Sequence, residues 1–84
     1  METINFTVNG RALELSRATV EASMKGVEPE PVRSHAVVVV GTCYPVKQVF
    51  AQATGLDRLD FTSAVARRHL DRLGFELLRA SGPR

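Results

Sequence analysis

The sequence predicts an α+β domain of order ββαβααβ, an N-terminal hairpin and later elements with helices packed on one small sheet. Three observations carry that expectation. Ile4, Phe6 and Val8 alternate with polar residues and run into Asn9-Gly10, a strong hairpin signal because both turn positions take positive φ. Four consecutive valines, Val37 to Val40, read as a strand buried on both faces. Two later segments carry apolar residues at helical spacing, and each is closed by a glycine.

A type I′ turn at Asn9-Gly10 sets Val8 against Arg11, Phe6 against Leu13 and Ile4 against Leu15. One hairpin face is then apolar except at its tip. Ser16 caps a helix over residues 17–25 that Gly26 terminates, with Val20, Met24 and Val27 as its stripe. Glu28-Pro29-Glu30-Pro31 stops regular structure and reads as an extended connector, too short to divide domains. The valine strand covers residues 35–41. Pro45 then occupies the first helical position, where its missing N–H costs nothing. Val46, Val49, Phe50 and Ala53 line the inner face of that helix, Lys47, Gln48, Ala51 and Gln52 the outer one, and Gly55 ends it.

After a loop from Leu56 to Asp60, Thr62 or Ser63 caps the last helix. Ala66, Leu70 and Leu73 point inward, Arg68, Asp71 and Arg72 outward, with Arg67 at the flank. Gly74 closes it, residues 75–79 form a final strand, and 80–84 are a frayed tail of the single domain 1–84. The expected core is Ile4, Phe6, Leu13, Leu15, Val38, Val40, Val49, Phe50, Leu70, Leu73 and Phe75. Gly10 and Gly74 are expected at positive φ.

Apolar content of 44% and charged content of 24% are globular rather than disordered values. No apolar run is long enough to span a membrane, and Met1 to Asn5 lacks the basic and apolar regions of a signal peptide. The single cysteine, Cys43, makes no internal disulfide, which points to the cytoplasm. The net charge of +2 is unevenly placed: residues 1–30 hold three basic and five acidic side chains, residues 31–84 eight basic and four acidic. The second half therefore favours an anionic partner.

Lys47 is the sharpest local anomaly. A lysine in a helix's first turn opposes the dipole, whereas an ammonium beside free backbone N–H groups suits an anion. The alternative is a packed stem with a solvated head. Catalytic signatures are thin. Cys43, His35 and His69 show no spacing that pairs a nucleophile with a base, and Cys43 reads as a small residue at a strand end. His69 reads as packed or half-exposed. No zinc, calcium or phosphate-loop pattern is present, so neither an enzyme nor a cofactor is expected.

Residues 35–79 carry a further pattern. A strand and short turn lead to a tyrosine, then a lysine opening a helix that ends in alanine-x-glycine. A phenylalanine precedes a second helix closed by leucine-glycine-phenylalanine and a strand. The residues are Gly41, Tyr44, Lys47, Ala53, Gly55, Phe61, Leu70, Leu73, Gly74 and Phe75. In these the chain resembles the small N-terminal DNA-binding domain of modification-dependent HNH restriction endonucleases. The resemblance implies DNA binding rather than cleavage, in a restriction or phage-defence setting. The N-terminal third departs from it, being a hairpin and short helix where that family has a longer helical region. Ala51 and Gly55 also imitate a helix-turn-helix, with the loop to Asp60 longer than the usual turn.

The leading expectation is a module that binds duplex DNA through its phosphates. Its candidate contacts are Tyr44, Lys47, Gln48, Arg67, Arg68 and Arg72. For the arginines the competing reading is a solvated helix face partly neutralised by Asp71. The alternative function is a protein-interaction or dimerisation module acting through the N-terminal hairpin, whose apolar face must be buried on the helices or on another chain.

Overall fold

The computed structural model describes residues 3–79, so the tail expected at 80–84 lies outside the described residues. Strands β1 (Thr3–Val8) and β2 (Arg11–Ser16) pair antiparallel in the expected register, Ile4 with Leu15, Phe6 with Leu13 and Val8 with Arg11. The turn works because Asn9 and Gly10 both hold positive φ, 52° and 80°. Helix α1 (Arg17–Ser23) starts where the Ser16 hydroxyl accepts the Thr19 N–H at 3.1 Å. After the connector come β3 (His35–Val39), β4 (Thr42–Pro45) and α2 (Val46–Thr54). A 3₁₀ turn (Arg58–Asp60) leads to α3 (Ser63–Arg72), capped by Thr62, and to β5 (Glu76–Arg79).

The α+β class and the order of the expected elements hold, with β4 added. Among the described residues the strands form two antiparallel sheets rather than one, β1-β2 and β4-β3-β5. The valine run explains the extra strand. Val40 and Gly41 form a second two-residue turn, at φ 48° and 78°, so β3 stops at Val39 and folds back as β4. The pleat alternates every residue, which makes Val37 and Val39 the inward pair. Val38 is half-buried on the other face and Val40, at the tip, is 75% exposed, so the strand is not buried on both faces. Pro45 is correspondingly the last strand residue and the cap of α2, and Val46 is the first helical residue.

One apolar core joins both sheets to the helices. Phe50 is fully buried, 5.7 Å from the Phe6 ring and 4.7 Å, edge on, from Phe61. Ile4, Val8, Leu15, Leu70, Leu73 and Phe75 are buried in the same cluster, with Phe6 and Leu13 packed against it. The hairpin thus spends its apolar face on its own domain. His69 is buried too, stacked on Phe6 at 4.0 Å. Its Nδ1 has no hydrogen-bond partner, and burial, then Arg68 and Arg72, lowers its pKa. Gly74 has φ 88° as expected, and its carbonyl accepts from the Arg17 guanidinium at 2.9 Å. That guanidinium also lies 4.7 Å over the Phe75 ring.

Candidate nucleic-acid interface

Helix α2 begins without a side-chain cap, because its cap residue is Pro45. Lys47 follows in the first turn, half-buried, with its Nζ 5.5 Å from the centre of the Phe61 ring. The electron-rich ring face gives the ammonium a local partner at a helix end that repels it.

Beside Lys47 lies a cleft of about 470 Å³. The connector supplies Glu30, Arg33 and Ser34 to it, β3 supplies His35, the 3₁₀ turn Arg58, and α3 Ser63. The Glu30 carboxylate takes both terminal nitrogens of Arg58, at 2.6 and 2.5 Å. That hydrogen bonding holds the Glu30 carboxyl below its usual range and raises the Arg58 pKa. Gln48 fixes the connector from beneath. Its side-chain oxygen accepts the Glu30 N–H at 3.0 Å, and its amide nitrogen donates to the Glu28 carbonyl at 2.9 Å. Pro29 lies within that clamp and Pro31 just beyond it, and both restrict the backbone.

His35 connects the cleft to α3. The Arg67 guanidinium lies 2.8 Å from its Nε2 and 3.2 Å from its Nδ1. A neutral imidazole has one acceptor nitrogen, and the shorter contact assigns that role to Nε2. Desolvation, then the charges of Arg67 and of Arg79 (its partner across β3 and β5), lowers the His35 pKa. The ring therefore sits in a positive field. Arg68 is exposed and lines a shallow groove with Arg67, Asp71 and Leu77. Among the described residues no ion pair joins Asp71 to Arg67, Arg68 or Arg72.

The expected contact residues are thus divided. Arg67 contacts His35, which lines the same cleft as Lys47, and Arg68 lines the neighbouring groove with Arg67. Arg72 is exposed but lies five residues beyond Arg67, about 140° round the helix. Tyr44 is 6% exposed on the core side of β4, opposite Val37. Gln48 is 5% exposed, so the expectation that it faces outward is corrected: its amide is committed to the connector backbone. Sequence reading missed Arg33, Arg58 and Arg79, for which the basic excess of the second half was the only signal, and weighed His35 only as a catalytic base. Eight residues, 55–62, separate α2 from α3, which is not helix-turn-helix spacing. Cys43 shares a sheet face with Val38, and His35 shares the opposite one with Val37, so the thiol and that imidazole point apart.

A small α+β domain with a basic cleft at the start of a helix is what the fold and these side chains define. Residues 7–83 match the model of the family described as SCO5918-like, and the chain belongs to that family. No curated protein and no solved structure matches it. Among the described residues, no helix is long and apolar enough to cross a membrane.

Proposed function

We propose that this chain is a binding module, not an enzyme, and that it grips the phosphates of duplex DNA with the surface formed by Lys47, Arg33, Arg58, Arg67 and Arg68. The observation that carries the reading is the convergence of Arg33, Lys47 and Arg58, from three chain segments, on one cleft that holds a single carboxylate, Glu30, with Arg67 joined to its rim through His35. Like charges gathered this way repel one another, and a polyanion relieves that repulsion while releasing counterions. The likeness of residues 35–79 to the DNA-binding domain of HNH restriction endonucleases agrees with the reading, with Lys47 as the shared surface residue. Tyr44 and Gln48 support the site from within, and Arg72 is peripheral.

Binding of a labelled duplex titrated at several salt concentrations tests this. Lys47→Ala or Arg68→Ala lowers the slope of log affinity against log salt by about 0.9, the value of one lost phosphate contact. The loss is similar for unrelated sequences, since phosphate contacts carry little sequence information. A double variant that binds like wild type, or a wild type that does not bind at low salt, overturns the reading.

One observation favours a protein-interaction module instead. The outer face of the β4-β3-β5 sheet carries half-buried Val38 and Pro45 beside exposed Cys43 and Leu78. Concentration-dependent mass without DNA binding selects that reading.

A further inference from the structure

Three features separate the cleft beside Lys47 from a plain basic surface. Its walls come from the connector, β3, α2, the 3₁₀ turn and α3, so a phosphate seated there is met from several sides, and a terminal phosphate offers three free oxygens where a backbone phosphodiester offers two. Its charge is also larger than a backbone phosphate needs. Arg33, Lys47 and Arg58 against Glu30 leave two positive charges, whereas a phosphodiester carries one negative charge and a monoester at neutral pH carries nearly two. Third, Arg58 already holds an anion in the two-pronged geometry that guanidinium offers to carboxylate and phosphate alike. That anion is exchangeable. The Arg58 and Glu30 side chains are 47% and 43% exposed, and ion pairs so exposed contribute little. Ser34 and Ser63 add hydroxyl donors at the wall.

We propose that the cleft seats a phosphate monoester, the terminal phosphate of a DNA strand, and that Glu30 is an internal stand-in which this phosphate displaces from Arg58. The inference rests on the DNA-binding reading above and adds an end preference to it. Glu30 then acts as a competitor that keeps the cleft closed to weaker anions. Gln48 holds the connector backbone while the Glu30 side chain swings away.

The test compares one short duplex in three forms, unphosphorylated, 5′-phosphorylated and 3′-phosphorylated, by fluorescence anisotropy on the full chain. One phosphorylated form binds about tenfold tighter than the unphosphorylated form, the scale of one charge-assisted hydrogen bond. Arg58→Lys keeps the charge, removes the fork and reduces that preference; Arg58→Ala abolishes it, with circular dichroism reporting the fold of both. Glu30→Gln tightens the phosphorylated duplex about threefold by removing the competitor. Equal affinity for all three duplexes overturns this inference and leaves the DNA-binding reading intact. No binding of any of them overturns both. A deoxynucleoside monophosphate that binds as tightly as the phosphorylated duplex makes free phosphate esters the ligand and overturns the assignment to DNA ends.

Discussion

The two tight hairpins of this domain use the same turn with opposite chemistry. At the tip of β1-β2, Asn9 and Gly10 hold φ 52° and 80°; at the tip of β3-β4, Val40 and Gly41 hold 48° and 78°. Asparagine tolerates the left-handed region, and here its side-chain amide also donates to Asp60 at 3.0 Å, tying the tip to the 3₁₀ turn. Valine is β-branched and resists that region, and Val40 is 75% exposed, so it gains little burial in return. The first turn is made by its own residues. The second is imposed by the strand and helix beyond it: Tyr44 must enter the core opposite Val37, and Pro45 must deliver the chain to α2.

The largest effect asks whether the two hairpins belong to one folding unit. Phe50 lies under the β1-β2 hairpin through Phe6 and at the heart of the shared cluster. Phe50→Ala costs about 3–5 kcal/mol, enough to threaten a domain this small. A single lowered urea transition is expected; two separate transitions break the picture of a shared core. Next, Asn9→Val places valine in both turns and removes the bond to Asp60. It costs about 1–3 kcal/mol by denaturant titration. Val40→Asn is the converse and stabilises by about 1 kcal/mol. If Val40→Asn is neutral or destabilising, the contrast between the turns fails.

The smallest effect is a dependence on pH. His69 has a folded pKa below its ordinary 6.5, so the unfolded chain binds more protons over that window. Its contribution to stability is fully present above pH 6.5 and is lost as pH falls toward the folded pKa. Stability measured between pH 8 and 5 therefore declines on the acid side, and His69→Phe flattens the decline. His35, whose pKa is also lowered, adds to the decline, so the part that His69→Phe removes is what reports the joint between hairpin and helices, where His69 stacks on Phe6.

The sequence displayed the first hairpin fully, in turn, register and buried face, because Asn-Gly and strict alternation agree. It concealed the second. Val40 continues the β-branched run and gives no sign that the chain reverses there, and four like valines in a row give alternation nothing to choose between Val37 and Val39 or Val38 and Val40 as the inward pair. Gln48 was illegible for a different reason. It lies off the apolar stripe of α2 and is buried because the connector covers that side, which helical periodicity does not register. The cleft was visible only as a regional excess of charge. Arg33, His35, Lys47 and Arg58 belong to four segments, and it is the path of the chain that brings them together.

The bond from Arg17 to the Gly74 carbonyl spans fifty-seven positions, and Phe6 finds its stacking partner in His69. A ribosome delivers these partners long after the hairpin itself. The hairpin that is easiest to read is made early, yet its apolar face is only partly covered when Phe50 arrives and is completed when α3 and Phe75 emerge. Until then the strand pair is incompletely buried, and closure of the domain waits for residues 63–75 to leave the ribosome.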